Sequence, residues 1–390
     1  VTNAGVMKRR GRRRLFAVLS LGVSLAGILL AMEVLLRFFP VSDGLRGVAV
    51  NDQNPVYRFS PNRTLHWSKG WNFQLGNEIR TNNYGFISNW DYDPAATSPL
   101  LAVIGDSFVE AAMVPFDRTA AGILGRGVEG RGRVYSFGSS GSALSQYLAY
   151  ARYARDEFHP NGMVVIIVGN DFDESLLKYR SHPGFHYFVE REGGRLALQR
   201  MDRSVPWWKD LFVMPTIGRY LVMNLELGNP DQLKERIASF FGRTPQFVGH
   251  VAANADPGRL SDSEKAVDAF LDMLPADSGL RPDHIVLVLD APRPEIYSAT
   301  SLREVQGSYF AIMRRYLAAA ALDKGYDMID LEDLFQSDYQ HRGLRFEFAD
   351  DYHWNVVGHE VVARAIQQSR VYRAVFDIGK GGSRDVVANR

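Results

Sequence analysis

Residues 100–368 alternate short apolar runs with amphipathic stretches, which predicts an α/β fold: a doubly wound parallel sheet of about five strands with helices on both faces. Three observations carry this. Residues 163–168 are apolar at every position, as a central parallel strand buried on both faces must be. Residues 100–104 form a second such run, stopped by Gly105 and followed by Asp106 and Ser107. A polar residue just past a strand's carboxyl end lies where open α/β sheets form their ligand crevices. Third, residues 302–322 and 355–368 repeat apolar positions at helical spacing between further strand patterns.

The 390 residues are 46% hydrophobic and 12% aromatic, enough for one large domain with insertions or two modest ones. Basic and acidic residues nearly balance, 45 against 44. Six of the basic ones (Lys8, Arg9, Arg10, Arg12, Arg13 and Arg14) crowd into the first 14 positions, so the body of the chain is mildly acidic. That argues against nucleic acid as a partner. With 0 cysteines, disulfides and thiolate metal sites are excluded.

From the start, residues 1–14 read as a basic cytoplasmic tail and residues 15–36 as a transmembrane signal anchor. A span of about 20 apolar residues crosses a bilayer core, and the preceding cations hold the N-terminus inside. One pass is expected, with the rest of the chain on the extracytoplasmic side. A cleaved secretory signal is the competing reading. The run is longer than the usual signal core, and no clear A-x-A cleavage site follows it. Glu33 and Arg37 are four apart near the outer interface, placed to pair or to snorkel.

Residues 37–99 read as a linker and an aromatic lead-in, with Tyr57, Phe59, Trp67, Trp71 and Phe73, then Tyr84, Gly85 and Phe86. Such rings either line a carbohydrate groove or pack the lead-in onto the main domain, and packing is the commoner use.

The main domain is expected over residues 100–370. After Ser107 come a helix, a strand at 134–137 leading into Gly138, Ser139, Ser140 and Gly141, a helix at 142–157 closed by Pro160, and the strand at 163–168. Residues 172–283 break the alternation and read as an insertion: a hairpin of 185–189 with 195–199, irregular helices around Trp207, Trp208, Pro215 and 220–227, and a capped helix from Ser261. The alternation resumes with strands at 285–289 and 326–329 and the helices named above. Residues 371–390 read as a tail.

A strand-end serine needs a base to act as a nucleophile. His353 follows Asp350 by three residues, so one loop could present an imidazole and the carboxylate that orients it. Ser107, His353 and Asp350 are therefore expected to act as one catalytic unit. By itself a serine in Gly-Asp-Ser serves equally well as a helix cap. Gly169, Asn170 and Asp171 end another strand at the same sheet edge, and an Asn side chain with backbone N–H groups near a serine is what an oxyanion hole requires. His359, inside the last helix, reads as structural. No HExxH or paired-ligand spacing occurs, so neither a metal nor another cofactor is expected.

Taken together, these blocks resemble the SGNH (GDSL-type) hydrolase superfamily, in the family's order across residues 100–368. The resemblance implies a flavodoxin-like sheet with Ser107, in Gly105-Asp106-Ser107-Phe108, as nucleophile. It also implies an oxyanion hole of Ser107, Gly141 and Asn170, and Asp350 and His353 as acid and base. The chain departs from the family pattern at Ser136, where Asn is usual, and at Gly169, which directly precedes Asn170. The lead-in at 81–86 and the anchor resemble bacterial members that modify cell-surface polysaccharides. The expected function is serine-dependent hydrolysis or O-acyl transfer on acyl, above all acetyl, esters of an envelope or extracellular polysaccharide, through an acyl-serine. The expected partners are an acylated small-molecule or polysaccharide substrate, the membrane, and a membrane protein that donates acyl groups. A non-catalytic glycan-binding module that keeps the fold is the alternative.

Overall fold

The computed structural model describes residues 3–206, 214–227, 256–293, 295–349 and 351–377. The chain divides into two compact units. The smaller comprises residues 1–44, 65–77 and 207–245, and the larger comprises the rest. Trp207 and Trp208 lie outside the described residues.

In the smaller unit, helix α1 (Asn3–Leu36) contains the apolar run Leu15–Leu36 and leaves it exposed except in its last turn, where Leu36 is buried. Its end is tied to the rest of the unit by polar contacts. The buried Asn224 accepts from the Ser42 amide (3.1 Å), donates to Ser68 Oγ (2.7 Å) and, through its carbonyl, accepts from the Gly70 amide (3.1 Å). One amide side chain and its backbone thus hold three segments distant in sequence. Glu33 and Arg37 pair at 3.1 Å.

A hairpin of β1 (Arg63–Lys69) and β2 (Leu75–Thr81) precedes the main sheet. That sheet is built by β3 (Leu100–Gly105), β4 (Arg133–Gly138), β5 (Gly162–Ile167), β8 (Ile285–Leu289) and β9 (Asp327–Asp330), all parallel, in the order β4-β3-β5-β8-β9. Relabelled by sequence, this is the 2-1-3-4-5 order of a doubly wound fold, with a switch point beside the first strand. Strand alternation divides the core. Leu100, Ala102 and Ile104 of β3 enter one hydrophobic layer, and Leu101 and Val103 enter the other.

The first layer is covered by α4 (Leu144–Phe158), α6 (Pro257–Ser278) and α8 (Tyr309–Asp323). The second is covered by α3 (Ala120–Gly127), α9 (Leu331–Arg342), α10 (Val356–Gln368) and α11 (Arg370–Val375). The remaining described helices are α2 (Ser107–Glu110), α5 (Thr216–Arg219) and α7 (Ala299–Glu304).

Three expectations change. The stretch 172–283 is not wholly an insertion. The hairpin of β6 (His186–Glu190) and β7 (Leu196–Arg200) is present, but α6 is a layer helix on the crossover between β5 and β8. It starts before Ser261 because Asp256 caps it, accepting from the Arg259 amide at 3.0 Å, with Pro257 in its first turn. The helix expected over 302–322 is broken into α7 and α8, since Ser308 starts a fresh helix by capping Ala311. The tail expected from 371 begins instead as α11, whose Val371 and Tyr372 are buried.

The lead-in aromatics Tyr84, Phe86 and Tyr92 pack onto the main sheet. Tyr92 stacks on Tyr135 (4.0 Å between ring centroids), and its hydroxyl donates to Ser136 O and accepts from Ser136 N, both at 2.8 Å. Strand β4 lies at the edge of the sheet, and Tyr92 thereby occupies part of the ladder that such an edge leaves open.

Candidate active site

The carboxyl ends of β3, β4 and β5, neighbours in the sheet, carry Ser107, Gly141 and Asn170 in the loops that follow. Beyond Gly105 the backbone turns straight into α2. Asp106 caps this turn, its carboxylate accepting from the Phe108 amide at 2.9 Å, which places Ser107 at the first position of the helix. The cap is thus Asp106, whose second carboxylate oxygen also lies 3.3 Å from the Ser107 hydroxyl. Glycine is required beneath this turn: a β-carbon at Gly105 would meet Val109 at 2.5 Å, and one at Gly138 would meet the Glu110 amide at 2.8 Å.

His353 comes from the other end of the domain. Strands β10 (Glu347–Phe348) and β11 (Asp351–Trp354) form a short antiparallel pair, and His353 Nε2 lies 2.7 Å from Ser107 Oγ. On the other side of the ring, Nδ1 is hydrogen-bonded to the carboxylate of Asp351. The sequence expectation named Asp350 as the acid, and the carboxylate described on the ring is that of Asp351. Side chains two apart on a strand share a face, so the Asp-x-His spacing of β11 sets Asp351 beside the ring. Asp350 itself lies outside the described residues. With Nδ1–H directed at Asp351, Nε2 is left as the acceptor for the serine proton.

A buried frame holds β11 in place. Arg293 donates to Asp290 at the end of β8 (2.5 Å) and to the backbone carbonyl of Tyr352 (3.0 Å). Trp354 Nε1 donates to the same Asp290 (3.0 Å), so one carboxylate fixes both neighbours of His353. Phe108 packs against the rings of His353 and Trp354, with centroids 4.9 and 5.0 Å apart. Asn355 caps α10, accepting from the Val357 and Gly358 amides, and donates to the carbonyls of Arg345 and Glu347. None of this frame was read from the sequence. Asp290 directly after a strand, at the sheet edge shared with Ser107, is the signal that could have found it.

The expected oxyanion residues stand as follows. Gly141 has φ of +85°, and a β-carbon there would come 2.7 Å from Arg180 Nη2, so both conformation and space favour glycine. Asn170 Nδ2 donates to Glu174 Oε2 (2.9 Å), and Glu174 in turn pairs with Arg180. One of the two Nδ2 hydrogens is thereby engaged and the amide plane is fixed. Asp171 is buried and accepts from the Val168 amide (2.8 Å) and the Tyr147 hydroxyl (2.9 Å), which stabilises the turn carrying Asn170.

Glu110 is a residue the sequence reading passed over. It lies one helical turn after Ser107 and is buried, and its Oε2 accepts from the Ser140 amide at 2.5 Å, next to Gly141. Burial raises its pKa to about 7, the Ser140 hydrogen bonds offsetting part of the effect. Asp106 is raised to about 6 for the same first reason, moderated by the Phe108 amide. His359 is buried and accepts from the Ala120 amide (3.2 Å), and desolvation lowers its pKa to about 3. Among the described residues, no three His, Asp or Glu side chains gather as a metal site would need.

Fold and contacts together define a doubly wound α/β protein with a serine, a histidine and an aspartate in one hydrogen-bonded row at the carboxyl edge of its sheet. No protein-family model and no curated protein matches the chain. Solved structures that align with it include an alpha/beta hydrolase enzyme from the metagenome of Lake Arreo, Spain, at 15% identity and TM-score 0.37, over 73% of this chain and 97% of that one. A member of the lipolytic G-D-S-L family from Veillonella parvula aligns at 11% identity and TM-score 0.37, over 69% and 96%. A Geobacillus acetyl-xylooligosaccharide esterase aligns at 13% and 0.36, over 70% and 95%. The topology and contacts above, not these likenesses, carry the functional reading.

Proposed function

We propose that this protein is a serine enzyme of acyl-ester chemistry, anchored in the bacterial inner membrane by α1, acting outside the cytoplasm on acetyl or related esters of a cell-surface polysaccharide. The observation that carries the chemistry is the 2.7 Å contact of Ser107 Oγ with His353 Nε2, backed by Asp351 on Nδ1. As Oγ attacks an ester carbonyl, His353 takes the serine proton and Asp351 stabilises the imidazolium. The negative charge on the carbonyl oxygen is received by the Ser107 and Gly141 amides and by the Asn170 Nδ2 hydrogen that Glu174 leaves over. Collapse expels the alcohol, which takes the proton from His353 and leaves an acyl-serine. A second hydroxyl then gives its proton to His353 and attacks the acyl carbon, restoring Ser107.

The second hydroxyl is that of water in a hydrolase and of a sugar in a transferase. The apolar anchor favours an envelope glycan as the other participant, with a membrane protein as acyl donor in the transfer case. The test supplies p-nitrophenyl acetate with and without candidate oligosaccharides and weighs the products. Acetylated sugar formed at the expense of free acetate makes it a transferase; free acetate with deacetylation of a native glycan makes it a hydrolase. Absence of any acyl-serine at Ser107 overturns the proposal and leaves the glycan-binding alternative.

A further inference from the structure

The smaller unit carries large apolar side chains that stay exposed over much of their surface. Phe38 is 82% exposed, Trp71 is 72% exposed and Val222 is 43% exposed, with Phe39 and Leu221 also open. They come from three segments: the residues after α1, the tip of the β1–β2 hairpin, and the π-helical turn Tyr220–Asn224 after α5. Contacts inside the unit bring these segments together. Phe39 stacks on Phe73 at 5.5 Å, Phe73 lies 5.6 Å from Tyr220, and the Tyr220 hydroxyl donates to Trp71 O at 2.7 Å.

Their level relative to the apolar run is fixed by one hydrogen bond. The Ile217 amide donates to Glu33 Oε2 at 2.9 Å, and Glu33 is in the last turn of Leu15–Leu36. A helix of 22 residues spans about 33 Å, close to the thickness of a hydrocarbon core. The start of α5 therefore stands at the edge of that core, where the Glu33 carboxylate finds an amide and Arg37 as partners. Aromatic rings and apolar side chains at this depth match the interfacial belt of membrane proteins.

We infer that Phe38, Phe39, Trp71, Leu221 and Val222 form a collar around the outer end of α1 that is seated in the headgroup region of the bilayer. The inference rests on the anchor reading of α1 and goes beyond it, since it assigns the hairpin tip and the 216–224 segment to the lipid surface. It also removes Trp71 from any glycan groove. Because α1's last turn is bonded to Ile217, removing the helix would strip the collar of its support.

The sequence has 0 cysteines, so single substitutions can be labelled in the full chain without background. Gly22→Cys, Trp71→Cys and Val222→Cys, each carrying an environment-sensitive fluorophore, are reconstituted into phosphatidylcholine vesicles. The label at Gly22 reports on the span, and it is quenched by nitroxides deep in the acyl chains. Labels at 71 and 222 lose roughly half of their emission to headgroup-level nitroxides and little to deep ones. If 22 is quenched but 71 and 222 respond only to aqueous iodide, or to no quencher at all, the collar is overturned and the anchor stands. If 22 itself fails to respond to deep quenchers, the anchor reading fails, and the collar with it.

Discussion

A single carboxylate oxygen of Asp351 accepts from two groups of His353: the backbone amide at 3.0 Å and the ring Nδ1. Ring and backbone are thereby fixed by the same atom, so neither the rotation nor the tautomer of the imidazole is left to chance. Asp351→Asn keeps the shape but offers the ring no charge and can favour the wrong tautomer. Turnover of an activated acetyl ester is expected to fall by roughly 10³–10⁴-fold. Asp350→Asn is expected to stay within a few-fold of the parent. The comparison decides between the two spacings by steady-state kinetics on two conservative variants.

The nucleophile can be counted directly. An activated phosphonate should label one site per chain, and peptide mapping should place it at Ser107. Ser107→Ala should abolish labelling, and His353→Ala should slow it by several orders of magnitude. His359→Gln should instead show its effect in the melting temperature, because His359 is buried against Trp354 and Ala120 on the far side of the histidine strand.

Glu110 gives a signed pH dependence. Its folded-state pKa, raised from 4.5 to about 7, means the folded protein holds a proton the unfolded chain gives up earlier. The stability tied to that proton is fully present below about pH 4.5 and is lost as pH rises through about 7, a change of the order of 3 kcal/mol. Glu110→Gln removes the ionisation while leaving an oxygen for the Ser140 amide. Thermal melts should therefore show the variant gaining on the parent between pH 5 and pH 8. A constant difference across that range would refute the assignment. Asp106 titrates in the same direction and its charge also raises Glu110, so the difference between the two proteins includes that coupling.

Arg293 should be costly to lose. Arg293→Met leaves the buried Asp290 without its cation and frees the Tyr352 carbonyl, and breaking such a pair costs about 3–5 kcal/mol. Chemical denaturation should show that loss. Activity below saturation should fall further than the folded fraction explains, since the strand carrying His353 is no longer held.

The central strands were legible because burial on both faces leaves an uninterrupted apolar signature, as in residues 163–168. Ser107 was legible because it lies where such a pattern stops, and His353 because a carboxylate precedes it closely enough to share its loop. The carboxylate found on the ring is Asp351, one residue after the one the spacing named. Asp350 and Asp351 are adjacent, and only the extended backbone of β11, which no periodicity in so short a segment reveals, decides which one shares a face with the ring. Glu110, Asp290 and Arg293 were invisible for a different reason. A charged residue in a sequence reads as surface, and its burial depends on partners such as Ser140 and Trp354 that only the closed fold supplies. Helix α6 was mistaken for part of an insertion because a long excursion before it hides that it is a crossover.

Ser107 and His353 are 246 positions apart along the chain. A polypeptide ending after β9 would have every strand of the main sheet, the serine turn and Glu110, yet no imidazole beside the hydroxyl, which would keep only its 3.3 Å contact to Asp106. The hydrogen-bonded row at Ser107 is therefore completed by the docking of β11, after the sheet itself can be complete. Such a chain would hold its serine apart from its histidine until its own folding was finished.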